Sequence, residues 1–291
     1  MRLNKKIIIT CLIIAGGFFL LIQLLSGCLS FKTSEKELIK NFKDQKIKPQ
    51  LHHYKISDRN INYAEIGNDS FPLVVFVHGS PGSWSAFEDF FKDSLLLQNV
   101  KMISVDRAGF GYSDYGNAEI SLSKQAAYLK PILEKNKNRP VILVGHSLGG
   151  PVIARMAMDY PALINGLIFV AASIDPELEP QEWYRKPMNS IPIRWILPGS
   201  IKASNKEILY LKDELTIMLP LWKNITQRCI VIQGNDDDLV SPKNVDFAKR
   251  MLTTSKDTSF VIIPKMNHFI PWKKPEVIRN AIIQIVNKNS L

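Results

Sequence analysis

A serine bracketed by glycines, Gly145-His146-Ser147-Leu148-Gly149, stands between a dense apolar run, Val141–His146, and a stretch of helical spacing that opens at Leu148. A hydroxyl becomes a useful nucleophile when a sharp turn presents it and a base lies within reach. Glycines two positions to either side leave room for such a turn. The base available is histidine. Of the five in the chain, His52 and His53 precede the apolar runs, His78 and His146 flank Gly-containing segments, and His268 alone lies far downstream, in Lys265-Met266-Asn267-His268-Phe269. Carboxylates that could orient an imidazole cluster at Asp236, Asp237 and Asp238, with Asp175 as a further candidate. An alcohol, an imidazole and a carboxylate together perform acyl transfer to water, and this chemistry requires no metal and no organic cofactor. Neither a phosphate-binding loop nor a zinc spacing is present, and the three adjacent aspartates lack the alternating ligands and closing glutamate of a calcium loop.

The elements that would position these groups read as an α/β domain from about residue 51. Stretches 51–57 and 60–66 have the look of an antiparallel pair. The runs at 73–78, 100–106, 141–146 and 167–171 are dense in branched apolar residues, as strands buried on both faces must be. Helical patterns at 84–97, 122–136 and 148–160 alternate with them. Two further strands, 229–233 and 260–263, precede a last helix at 275–287. Such alternation predicts a mostly parallel sheet with helices on both faces. It fails between about 173 and 224, a stretch rich in Pro, Trp and Met that is too long for a connection and reads as a helical lid inserted after the sixth strand.

His78-Gly79-Ser80-Pro81-Gly82, directly after the 73–78 strand, together with Gly145-His146-Ser147-Leu148-Gly149, resembles the α/β-hydrolase superfamily. Asp106-Arg107-Ala108-Gly109-Phe110-Gly111-Tyr112-Ser113-Asp114 is similar to that family's loop after the fourth strand, whose part is structural. The resemblance implies a Ser-Asp-His triad in which the acid follows the serine and precedes the histidine. It implies an acid three residues after the glycine of Gly234-Asn235-Asp236-Asp237, hence Asp237, and His268 as the base. Asn267 stands where the family usually has glycine; asparagine also tolerates turn backbones. An oxyanion hole of two backbone N–H groups is implied as well, one from Leu148 and one from the loop after the third strand. Pro81 has no N–H, which leaves Ser80. A serine at 147 sets the chain apart from the haloalkane dehalogenase and epoxide hydrolase branches, which carry aspartate there. Carboxylic ester, thioester or lactone hydrolysis is the expected activity. An aminopeptidase, a carbon–carbon bond hydrolase and a non-catalytic binding protein are the alternatives.

The N-terminus carries a separate message. Arg2, Lys5 and Lys6 are followed by an uncharged, mostly apolar run through residue 30, the layout of an export signal. Leu25-Ser26-Gly27-Cys28 resembles the bacterial lipobox, which implies cleavage before Cys28, lipidation of its thiol and a membrane-anchored protein of the cell envelope facing the periplasm or exterior. On this reading residues 1–27 are a signal peptide, 28–50 a Lys-rich tether in which Ser34-Glu35-Lys36-Glu37 fits the capping box of a short helix, and 51–291 the hydrolase domain. Cys11 and Cys28 fall outside the domain, so Cys229 has no partner for a disulfide and is expected in the core. The net charge of +10 is spread along the chain without stacking aromatics, a pattern that argues against a nucleic-acid partner. The partner that the family resemblance implies is a small-molecule acyl substrate.

Overall fold

A computed structural model describes residues 30–289 together with positions 10, 13, 16 and 17. The signal segment and Cys28 lie outside the described residues. Eight strands form one sheet: β1 (Gln50–Ile56), β2 (Arg59–Ile66), β3 (Leu73–Val77), β4 (Lys101–Val105), β5 (Val141–His146), β6 (Gly166–Val170), β7 (Arg228–Gly234) and β8 (Thr258–Ile263). Their spatial order is β1-β2-β4-β3-β5-β6-β7-β8. The β1–β2 and β2–β4 pairs are antiparallel, and every other pair is parallel. This is the α/β-hydrolase fold.

Strand composition follows from double-sided burial. Along β5, Val141 and Leu143 point into one core cluster while Ile142 and Val144 point into the other, so all four are apolar. The first cluster is closed by α3 (Leu122–Lys135) and α4 (Gly149–Asp159); the second by α10 (Pro275–Asn289) and a 3-10 stretch, Trp84–Lys92.

That 3-10 stretch differs from the single helix expected over 84–97. The backbone kinks at Phe87, and the chain restarts as α2 (Ser94–Asn99) only after Asp93. The Asp93 carboxylate accepts from the amides of Leu95 and Leu96 at 2.9 and 3.1 Å, so a side chain with a strong N-capping preference divides a segment whose apolar spacing alone runs on.

The Lys-rich stretch before the domain also has more structure than a tether. In α1 (Glu35–Asn41), Ser34 and Glu37 form a capping box, and Leu38 and the fully buried Phe42 join the second cluster. Asn41 bonds Glu88, and Lys92 lies 5.1 Å over the Phe42 ring, which holds α1 against the Trp84–Lys92 stretch.

β3 has β4 on one side and β5 on the other, so successive crossovers leave it in opposite directions. The loops after β3 and β5 therefore open a crevice at the carboxyl edge of the sheet, the place where open α/β sheets bind ligands. Both loops carry the motifs singled out above. Over them lies the segment between β6 and β7: a short 3-10 turn (Pro176–Leu178), α5 (Arg185–Met188), α6 (Ile191–Ile196), the long α7 (Gly199–Met218) and a second 3-10 turn (Leu219–Asn224).

Candidate active site

Ser147 occupies the turn between β5 and α4 with φ of 54°, a left-handed backbone that costs a side-chain-bearing residue about 1–2 kcal/mol. Its N–H donates to the Val170 carbonyl at 3.0 Å, and its own carbonyl accepts from Gly150 and Ser173, so neighbouring elements hold the strained residue in place. The flanking glycines are required by contact. A Cβ on Gly149 would stand 2.1 Å from the Val77 carbonyl oxygen, and one on Gly145 would stand 2.5 Å from that of Gly149. The β3 loop crosses directly above: a Cβ on Gly79 would come within 2.8 Å of the Ser147 Cβ.

His268 lies in the loop after β8, and its Nδ1 donates to Asp237 Oδ2 at 2.8 Å. Asp237 is buried after β7 and also accepts from Gln233 Nε2 and from the amides of Leu239 and Val240. Burial works to raise its pKa. The bond from His268 and the two amides outweigh this and hold the carboxyl below the usual carboxylate range. Among its rivals, Asp236 and Asp238 are exposed, while Asp175 caps the Pro176–Leu178 turn and faces Arg250.

Ser80, Ser147, Leu148 and His268 line one cavity of about 820 Å³, roofed by residues of the β6–β7 segment that include Glu179, Ile208 and Leu211. Leu148 stands at the N-terminus of α4, where backbone N–H groups face outward. Among the described residues no hydrogen bond joins Ser147 Oγ to His268. Such contacts are often long in empty sites and tighten when substrate binds.

Two histidines beside the motifs have structural roles. His146 donates Nε2–H to the His268 carbonyl at 3.1 Å, with the two rings 4.7 Å apart, and so ties the strand carrying Ser147 to the loop carrying His268. His78 accepts the Arg107 N–H at Nε2, which leaves its Nδ1–H for the Gly79 carbonyl. Both are buried and neutral. Burial, then the neighbouring His268, lowers His146 from the usual 6.5 to about 3, and burial beside Arg107 holds His78 well below its usual value. Depressed histidine values stabilise the fold above about pH 6.5, and that contribution is lost as pH falls toward the folded values. Asp106, pushed up to about 6 by burial, acts with the opposite sign, favouring the fold as pH falls. Glu179, which burial also raises, acts with Asp106, but the two histidines are displaced further, so the melting temperature should fall on acidification from about pH 6.5 to 4. His146→Asn should flatten the slope; thermal melts across that range check both.

One further group was not visible as a site in the sequence. Arg107, fully buried, forms a bidentate ion pair with Glu207 of α7 at 2.7 and 3.0 Å, and donates to the carbonyls of His78 and Gly79 and to Gln125. Glu207 in turn accepts from Ser80 Oγ at 3.0 Å and from Gln125 at 3.0 Å. The covering segment is thus bonded to the loop that carries Ser80. Glu207→Ala strands a buried guanidinium and should lower stability by about 3–5 kcal/mol, read from the urea midpoint. Glu207→Gln should be milder. In the sequence, Asn205-Lys206-Glu207 reads as a polar helix surface; only the need of a buried arginine for a counter-charge points to it.

A mostly parallel sheet with a strained serine turn at its switch point is the arrangement of the α/β-hydrolase fold. The alpha/beta hydrolase fold family model matches residues 72–195. Epoxide hydrolase 1 of Caenorhabditis elegans is 25% identical over 134 residues, 43% of this chain and 33% of that protein, so the match spans about a third of that relative. The 2-(acetamidomethylene)succinate hydrolase of Mesorhizobium japonicum is 22% identical over 78% of this chain and 91% of that protein. A solved structure of a candidate lipase from Acinetobacter baumannii superposes with a TM-score of 0.65 at 18% identity, covering 89% of this chain and 98% of that one. The chain has the α/β-hydrolase fold.

Proposed function

We propose that the protein is a serine hydrolase that cleaves an ester-like bond, whether carboxylic ester, thioester or lactone. The observation that carries this reading is the 2.8 Å bond between His268 Nδ1 and Asp237, in the cavity that Ser147 also lines. With Nδ1 engaged, His268 presents Nε2 as the base. Ser147 Oγ attacks the substrate carbonyl as its proton passes to Nε2, and the amides of Leu148 and Ser80 stabilise the tetrahedral oxyanion. His268 then protonates the leaving alcohol or thiol, and an activated water releases the acid from Ser147. Asp237 keeps the imidazole in the useful tautomer and stabilises its cation.

The test is a fluorophosphonate probe applied to the full-length protein, followed by a hydrolysis screen over short and long acyl esters, lactones and aminoacyl amides. Labelling at Ser147 with ester turnover is the expected result. Turnover of aminoacyl amides alone would move the protein to the aminopeptidases, and no labelling at all would make it a binding protein.

In the same reading, the basic-then-apolar leader and Leu25-Ser26-Gly27-Cys28 support a lipoprotein anchored through Cys28 in the cell envelope. The membrane-extracted protein should have an intact mass that begins at a lipidated Cys28. Retention of Met1 without lipid would replace this with an uncleaved anchor helix.

A further inference from the structure

The five tryptophans fall into two groups. Trp84 and Trp222 are sealed in the core, at 0% and 1% exposure. Trp183, Trp195 and Trp272 stand 82%, 76% and 48% exposed. Trp272 lines the active-site cavity, and Trp183 sits between Glu182 and Arg185, both of which line it too. Trp195 belongs to α6, which packs against the helix that carries Arg185. Phe31, Leu239 and Phe269, each at least 40% exposed, complete the apolar border of the same cavity. Exposed Trp and Phe side chains gathered around one opening, while Trp84 and Trp222 are packed away, mark a surface that meets an apolar partner. Tryptophan at such a border suits the lipid interface.

The position of the N-terminal chain identifies that partner. Phe31 lines the cavity, Thr33 is buried, and Lys32 lies 4.3 Å over the Tyr115 ring, so the chain reaches the domain already fixed beside the opening. Residues 7–31 contain no charged side chain. Cys28 is three residues from Phe31, a reach of at most about 11 Å. On the anchor reading proposed above, through a lipid on Cys28 or through the apolar run itself, the described chain begins beside the mouth of the cavity, at Phe31. Residues 29–50 bring six lysines against three acids, complementary to anionic headgroups.

We propose that the mouth of the cavity is pressed against the bilayer, with the aromatic border inserted, so that the acyl substrate enters from the plane of the membrane and not from water. The choice of a bilayer-resident acyl compound as substrate rests on the serine hydrolase reading; the docking face does not.

The full-length protein is reconstituted into phosphatidylcholine vesicles containing a minority of phosphatidylglycerol, with or without brominated acyl chains. Tryptophan emission should drop about twofold in the brominated vesicles, because three of the five indoles are exposed and the proposed face carries them. The W183F/W195F/W272F variant should lose that drop. Unchanged emission from vesicle-bound protein overturns the proposal, as does burial of the same border in a dimer seen by light scattering. In a second arm, W183S/W195S should be labelled about tenfold more slowly by a long-chain phosphonate embedded in the vesicles, and at the wild-type rate by a short water-soluble one. Equal slowing of both, or of neither, overturns the membrane route. Failure of the short probe on wild-type protein in detergent defeats the serine hydrolase reading instead and leaves the quenching result standing.

Discussion

Ser147→Ala is expected to abolish fluorophosphonate labelling and to lower turnover of every ester the protein accepts by about 10⁶, the scale seen when a triad serine is removed. Alanine keeps a Cβ at the strained φ of 54°, so the elbow and its bonds to Val170, Gly150 and Ser173 persist without a reacting atom. The melting temperature should therefore stay within a few degrees of the parent, which separates lost chemistry from lost fold. Residual labelling at wild-type rate would mean that another residue is the nucleophile. The buried Cys229, whose thiol burial pushes up to about 12, is not equipped to substitute.

Asp237→Asn should reduce turnover by about 10⁴. Four donors converge on this carboxylate: His268 Nδ1 and Gln233 Nε2 on one oxygen, the amides of Leu239 and Val240 on the other. An amide group in its place must turn an N–H toward one of those pairs. If it faces His268, the imidazole takes the wrong tautomer and presents a protonated Nε2 to Ser147, which can then no longer pass on its proton. The loss should fall mainly on kcat, with KM little changed, because Asp237 lies behind the histidine and away from substrate. Asp236→Asn, Asp238→Asn and Asp175→Asn should each leave kcat within about threefold, being exposed or committed to other partners. A severe loss in one of those three, with Asp237→Asn mild, would reassign the acid.

The sheet was legible because its cause is local. A strand such as Val141–His146, apolar through its first four residues, has no use except burial on both faces, and the glycines around Ser147 state a contact distance that any reader of the motif can anticipate. The pairing of Asp237 with His268 was reachable through the family resemblance, which implies the chain order and the register of the acid. What escaped was non-local or composite. The ion pair between Arg107 and Glu207 joins residues 100 positions apart, and neither neighbourhood advertises its burial. Lysines at 36, 40 and 43 concealed the one-sided spacing of Leu38 and Phe42, which docks α1 on the domain. At residue 93 two signals competed: apolar spacing argued for continuation, and an aspartate argued for a new start. The capping carboxylate prevailed.

The carboxylate of Glu207 also limits how this scaffold can diversify. Specificity in a covered site is altered most readily by exchanging the cover, yet α7 is bonded through Glu207 to the loop whose Ser80 amide would face the oxyanion. A chimaera that grafts a foreign cover onto this sheet must bring an acid to the place of Glu207 or remove the charge of Arg107 at the same time. The stretch from Glu179 to Pro198, ahead of that fastening, is held by lighter ties, from Ser173 to Glu179 and from Asn205 to the Arg185 carbonyl. New substrate ranges should arise there first, while α7 is inherited with the loops beneath it as a single unit.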